Sequence, residues 1–247
     1  MRPLSAPELL AAWERSLAEP PALRALALLA AACPETSVED LARESVGRRD
    51  ARLLTLREWT FGPQLVSLAS CPVCGERLET VFDAAEIRVP GAEAAPAAPL
   101  AVTVAGCELT FRLPDSHDLA ALAAAGDGLE GARRRLLARC LLGARGADGA
   151  EVPFDRLPEA AFQAVADRMA EADPQGDVQL ALRCPACSHA WPAPFDIASF
   201  FWTEVEAWGR LLLREIHALA SAYCWPEEHI LALSPWRRRA YLELIGG

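Results

Sequence analysis

The stretch "SLASCPVCGERLETVFDAAEI" (residues 67–87) carries two cysteines, Cys71 and Cys74, around a proline, with a glycine following. Two thiols are half of a tetrahedral metal site, so the reading turns on whether the chain holds another pair. Residues 180–200, "LALRCPACSHAWPAPFDIASF", supply it. Cys184, Pro185 and Cys187 repeat Cys71, Pro72 and Cys74 in order and spacing. The match runs on: Phe82-Asp83 and Phe195-Asp196 stand at the same distances after the first cysteine of each copy. Each copy is preceded by a short apolar run and followed by an expected strand and then a helix. One repeat at so wide a separation describes two halves of a pseudo-symmetric unit rather than a solenoid.

Two C-x-x-C turns, each on a hairpin, make a zinc ribbon, and nothing requires the hairpins to be close in sequence. The expectation is therefore a split ribbon with Cys71, Cys74, Cys184 and Cys187 on one structural zinc per chain, and the residues between as an insertion. Two separate dithiol turns, or a site that has lost its metal, are the alternatives. A redox pair fits less well, because two matched motifs suit one shared site better than two independent catalysts. His189, just after Cys187, is a competing ligand. With four thiolates bound, no zinc position is left for water, so the metal would be structural.

Composition sets the wider frame. The chain has 247 residues, 52% of them hydrophobic, which is ample for a large core. Against 34 acidic residues stand 24 basic ones, a net charge of −10. That balance disfavours bulk affinity for phosphate backbones, so nucleic acid is not an expected partner. The N-terminal residues lack the layout of a secretory signal, and no apolar run approaches the roughly 18–20 residues of a membrane span. A cytoplasmic location is expected. There most of the eight cysteines stay reduced, and paired C-x-x-C motifs favour metal over disulfide.

Along the chain, residues 1–63 read as helices, punctuated by Pro20-Pro21, Pro34 and Gly62-Pro63. Ser37 with Asp40 looks like a helix start. The first ribbon half covers 64–89. An alanine- and proline-rich linker follows over 90–100, then a hairpin over 100–113 turning at Gly106. Helices are expected from about Asp115, over 128–143 with Gly143 closing the second, and over 158–173, with a loop over 143–157. The second ribbon half covers 177–198. A long apolar helix over 199–223 and two short ones, introduced by Pro226 and by Ser234-Pro235, complete the chain. The fold class is α+β, mostly helical, organised around a small antiparallel split ribbon. Its regions are 1–63, the ribbon 64–89 plus 177–198, the insertion 90–176, and 199–247.

Other chemistry-bearing residues read as structural. Cys33, Cys107, Cys140 and Cys224 sit in apolar contexts without partners at ligand spacing and are expected as buried free thiols. His117, His217 and His229 have no nucleophile to pair with. Arg133, Arg134, Arg135 and Arg139, and the run Trp236–Arg239, are solvated basic faces that balance nearby acids, or contacts for an acidic partner. Trp202, Trp208, Trp225 and Trp236 cluster near the C-terminus and are expected mostly in the core, with a few as anchors for a partner. No phosphate-cradling glycine loop, G-x-S-x-G or H-E-x-x-H occurs, so no enzyme chemistry and no small-molecule substrate are expected.

Several segments together carry a resemblance: "GRRDARLLTLREWTFG", both ribbon halves, "FRLPDSHDLA", and above all the ending "LLREIHALASAYCWPEEHILALSPWRRRAYLELI". Over most of residues 45–247 the chain resembles the phage baseplate proteins also described as T-even-type baseplate hub assembly chaperones. These are encoded beside the tail genes of phages and of contractile injection systems. The resemblance implies the four cysteines as zinc ligands. It implies Trp225, Glu228, Ile230, Leu231, Arg238, Arg239 and Tyr241 as a signature tail without a defined chemical role. It further implies a non-enzymatic assembly role, with hub or spike proteins of a contractile tail as partners. A zinc-ribbon regulator that binds nucleic acid is the other reading of the ribbon alone.

Overall fold

A computed structural model of the chain describes residues 1–94, 99–126 and 128–246; part of the expected linker over 90–100 lies outside the described residues. With 56% helix and 18% strand in small antiparallel sheets, the class is α+β. Among the described residues, no helix is long and apolar enough to cross a membrane.

Four helices lead: α1 (Ala6–Ser16), α2 (Pro21–Ala32), α3 (Val38–Ala42) and α4 (Val46–Phe61). Their starts follow from local chemistry. Ser5 and Glu8 form a capping box on α1. Pro21 opens α2, where its missing N–H costs nothing. The Ser37 hydroxyl accepts from the Asp40 amide at 3.0 Å. Gly62, at φ +91°, ends α4. The first hairpin is β1 (Gln64–Ser70) and β2 (Arg77–Asp83), which runs into the short α5 (Ala84–Ile87).

The inserted region holds β3 (Leu100–Val104), β4 (Cys107–Phe111), α6 (Ser116–Ala125), α7 (Leu129–Cys140), β5 (Leu141–Arg145) and α8 (Glu159–Ala172). Ala105 and Gly106 both take positive φ, the turn that suits a two-residue hairpin. The expected closure of a helix by Gly143 is corrected here. The helix ends at Cys140, and Leu141–Arg145 adds to the hairpin as a third strand in the order β3-β4-β5. The exposed edge of β4 supplies hydrogen-bond partners that outweigh further helix, and Gly143 lies opposite Thr110 beside a bulge. The expected loop over 143–157 thus begins as strand and includes a bridge between Arg145 and Glu151.

The second hairpin, β6 (Gln179–Arg183) and β7 (Ala190–Pro194), leads into α9 (Ile197–Tyr223). The helices α10 (Glu227–Leu231) and α11 (Pro235–Gly246) fold back on α9.

Two hydrophobic clusters hold the protein. The larger joins helices from both ends of the chain: Trp13, Leu28 and Leu54 pack with Phe201, Leu212 and Ile230, and Leu65 and Phe82 enter from the first hairpin. Residues 1–63 and 199–247, separate regions in sequence, thus share one core. The smaller belongs to the insertion, where Leu109 and Phe111 meet Leu137, Phe162 and Val165. Buried polar bonds tie the parts together. Arg57 makes a two-pronged pair with Glu204, at 2.8 and 2.6 Å, linking α4 to α9. Gln175 accepts from the Val89 amide at 2.7 Å and donates to the Ile87 carbonyl at 3.1 Å, so the exit of the first hairpin is fastened to the entry of the second.

Candidate metal centre

Each C-x-x-C motif sits in the turn of its hairpin, and the two turns have the same geometry. The Cys71 amide donates to the Glu76 carbonyl and the Cys184 amide to the His189 carbonyl, both at 2.8 Å. The Gly75 and Ser188 amides close each turn onto the carbonyls of Cys71 and Cys184, at 2.9 and 3.0 Å. Both residues take positive φ, +76° and +60°, the conformation that curls the chain around its cysteines. The strand registers coincide as well. Val66 pairs with Val81 and Gln179 with Pro194, and the alignment that sets Cys71 on Cys184 carries the first pair onto the second.

The repeat extends to the helices beyond. Asp83 caps α5 through the Ala85 amide, and Asp196 caps α9 through the Ala198 amide, both at 2.9 Å. Phe82 and Phe195 pack edge to face between the halves, with centroids 5.4 Å apart.

This arrangement brings all four predicted sulfurs together, within 4.8 Å of one another. The close pairs cross between the halves: Cys71 Sγ to Cys187 Sγ is 3.6 Å and Cys74 Sγ to Cys184 Sγ is 3.5 Å. A tetrahedron with metal–sulfur bonds of about 2.3 Å has edges of about 3.8 Å. The thiols therefore already stand near the corners such an ion requires. Cys71 and Cys184 are buried, whereas Cys74 and Cys187 are exposed, so the cluster has an inner and an outer pair. Burial resists ionisation of Cys71, yet the Cys74 and Val73 amides and the Cys187 thiol hold it down at about 7. The Glu76 amide favours the Cys74 thiolate, but the Cys184 thiol, burial and the other thiols outweigh it and push Cys74 up to about 12. Four thiols this close to one another, presented by two matching turns, could hold a metal ion.

His189 is placed apart from the cluster's ligand set. Its ring stacks on Trp191, 5.9 Å between centroids, and its carbonyl serves the turn. Among the remaining cysteines, Cys33 and Cys140 are buried as expected, and Cys107 is half-buried. Cys224 corrects the expectation: it is exposed and closes α9 in the left-handed conformation at φ +56°. His117 lies at the surface near Glu39, 3.4 Å away, and Asp115 is the residue that caps α6.

The basic clusters divide. Arg139 and Arg112 both bind the fully buried Asp118, and Arg134 lies over Phe154 and Phe162. Arg133 pairs with Gln163 at 2.7 Å. These arginines fasten the insertion's own elements together. In the C-terminal run, Arg238 is buried on Glu215 at 3.0 Å, while Trp236 is 77% exposed beside exposed Arg237 and Arg239. The signature tail is mostly packing: Trp225 stacks on Tyr223 and meets Tyr241 edge-on, and Ile230 is fully buried. Glu228 is exposed. Sequence reasoning assigned no role to the buried carboxylates of Asp50, Asp118 and Asp173; Asp50 pairs with its neighbour Arg49, Asp118 with Arg112 and Arg139, and Asp173 with the distant Gly47 amide.

Comparison with family models, with curated proteins and with solved structures finds no match to this chain.

Proposed function

We propose that this protein is a non-enzymatic assembly factor or minor structural component of a phage-type contractile tail baseplate, held in shape by one structural zinc ion. The observation that carries the zinc reading is the convergence of four thiols from two matching hairpins far apart in the chain. A tetrahedral all-sulfur set suits zinc or an iron–sulfur centre. Four sulfurs within 4.8 Å of one another on two such knuckles suit a single ion, and zinc is the reading adopted for it. Cys71, Cys74, Cys184 and Cys187 would fill its coordination sphere, leaving no position for water or substrate. What the ion supplies is a cross-link between distant parts of the chain, such as Cys74 and Cys184.

The baseplate reading rests on the resemblance of residues 45–247 and its C-terminal signature. Support from the surface is the exposed Trp236 flanked by Arg237 and Arg239, residue types that carry much of the energy of protein interfaces. A cytoplasmic setting, where thiols stay reduced, agrees with free cysteines poised for metal. Binding of nucleic acid by the ribbon is the weaker reading, because Glu76 and Glu79 flank the first knuckle and the chain is acidic overall.

The test is affinity capture of the tagged protein from cells that carry the whole tail gene cluster. A hub, spike or other baseplate protein should co-purify. Recovery of no tail protein from cells in which tails assemble would sink the proposal, and salt-sensitive retention on DNA instead would favour the ribbon-regulator reading.

A further inference from the structure

Where the insertion meets the second hairpin, α4, α6 and the start of α9 leave a cavity of about 380 Å³. Its walls are apolar, formed by Pro21, Leu119, Ala123, Pro194, Phe195 and Ala198. Arg49 and Asp50 line it as well. A second apolar cavity of about 270 Å³ adjoins it, sharing Val46, Leu119, Gly176 and Asp177, and is walled further by Leu136 and Met169.

Asp50 is the unusual member. Its side chain is only 10% exposed, and its Oδ1 receives both Nε and Nη2 of Arg49, at 2.8 and 2.7 Å. Among the described residues, no hydrogen bond reaches its Oδ2. Asp173 and Asp196 stand close enough to act on it by charge, and Asp177 lies at the rim. Asp173 spends Oδ2 on the Gly47 amide, and Asp196 is occupied by the first turn of α9. Arg49 faces these carboxylates in the first cavity, its Nη1 3.5 Å from Ser116 Oγ, and Arg133 lines the second. Oδ2 therefore keeps acceptor capacity toward the cavity, where a cationic donor would make a charge-assisted hydrogen bond.

We propose that this double cavity binds a lysine or arginine side chain of a partner protein, with an adjacent aliphatic residue of the same segment in the second cavity. The charged end meets Asp50 Oδ2 with Asp177 and Asp196 around it. The methylene stem lies along Leu119, Pro194 and Phe195, as long basic side chains do on apolar surfaces. The net negative charge of the site and of the whole chain sets the sign of the occupant. The inference does not depend on the partner being a tail protein.

The test is a titration of the full-length ¹⁵N-labelled protein, followed by amide shifts, with three probes: acetyl-Leu-Lys-Leu-amide, acetyl-Leu-Gln-Leu-amide and n-butylamine. The lysine peptide should shift the amides of Val46, Asp50, Leu119 and Ser199 saturably, with a Kd on the order of 1 mM, as expected of so small a ligand. It should bind at least about tenfold more tightly than the glutamine peptide. Asp50→Asn should abolish that preference. Ala123→Trp alters an exposed residue of α6, leaves every carboxylate in place and crosses the mouth of the cavity, so it tests the site even if Asp50→Asn fails to fold. It should weaken binding about tenfold or more. No saturable shift, equal binding of the glutamine peptide, or unchanged binding to the Ala123→Trp variant would each overturn the site. Butylamine binding more tightly than the lysine peptide would overturn a protein side chain as the occupant.

Discussion

Phe82 and Phe195 meet edge to face, their ring centroids 5.4 Å apart and their planes at 88°. They are the same position of the two repeat halves, so the contact lies where the halves relate to each other. Each ring sits at the end of its hairpin, next to the aspartate that caps the following helix. The four sulfurs gather at one end of the ribbon, and the two rings join its other end. The halves form separate two-stranded sheets with no ladder between them, so these two points, with the Gln175 bonds to Ile87 and Val89, do the joining.

If the rings act as one joint, their substitutions must be coupled. Phe82, 8% exposed, should cost about 3 kcal/mol when changed to alanine, and the more accessible Phe195 less. The double variant should be less destabilised than the sum by about 1 kcal/mol, the usual worth of an aromatic pair. Urea unfolding of the four proteins measures this, and strict additivity would show the rings to be independent.

The metal prediction is about stoichiometry and stability together. Elemental analysis should give one zinc per chain, lost on Cys74→Ser or Cys187→Ser and retained in Cys107→Ser. Closing a loop of about 100 residues contributes about 4–5 kcal/mol in the chain-entropy description of a cross-link. At roughly 2–4 °C per kcal/mol for a chain of this size, chelation should lower Tm by on the order of 10 °C. A metal-free protein with an unchanged melt on chelation would leave the thiols as a packing feature only.

The ribbon was legible in the sequence because its chemistry is local. A C-x-x-C turn, a positive-φ residue after it and a Phe-Asp pair at fixed distance all lie between Cys71 and Asp83, and the copy from Cys184 to Asp196 checks each of them. The helices at both ends were legible from their caps and prolines. What escaped detection is non-local. Strand β5 continues directly from a helix, and only the edge of β4 makes Leu141–Arg145 a strand. Asp173 holds the start of α4 from far along the chain, and Arg57 reaches as far forward to find Glu204. The left-handed Cys224 reads as an ordinary apolar position until the chain is seen turning back there.

The two turns differ at one informative place. Gly75 and Ser188 are equivalent and both left-handed, at φ +76° and +60°. A side chain there costs roughly 1–2 kcal/mol in backbone terms. Ser188→Gly should therefore stabilise the protein by up to about 1 kcal/mol, after the added freedom of the unfolded chain is subtracted. Gly75→Ala should destabilise it by a similar amount. Denaturant midpoints at fixed zinc decide both, and a destabilised Ser188→Gly variant would mean that the hydroxyl contributes something beyond the backbone.

Gly47 answers to a close approach instead of a turn. Its amide donates to Asp173 Oδ2 at 2.8 Å, and a Cβ on it would lie 2.1 Å from Asp173 Oδ1 and 2.7 Å from the Gly176 backbone nitrogen. Alanine is the better helix former by about 1 kcal/mol. Here the clash should win, and Gly47→Ala should destabilise by about 2 kcal/mol or more. A thermal melt that rises with the substitution would show that Asp173 and the Pro174–Gly176 turn give way freely.

Two buried aspartates should shape stability in opposite directions with pH. Burial alone would raise Asp118, but Arg112, the Asp115 amide and Arg139 outweigh it and hold its carboxyl at about 2. A folded-state value below the unfolded one means stability that is present above about pH 4 and is lost as pH falls toward 2. Asp50 is the reverse. Burial pushes it up to about 6, Arg49 opposing and Asp196 and Asp173 adding to the rise. The folded protein then holds a proton that the unfolded chain releases, so the stability from this group is full below about pH 4 and is lost as pH rises to about 6. Asp118→Asn should cost about 2 kcal/mol or more at pH 7, with the difference from wild type shrinking below pH 4. Relative to Asp50→Asn, wild type should lose stability between pH 4 and 6 and run parallel above. Urea midpoints across pH 2.5–7.5 for the three proteins carry the test. A constant offset for Asp118→Asn through the acid range would remove the buried carboxylate as the origin of its effect.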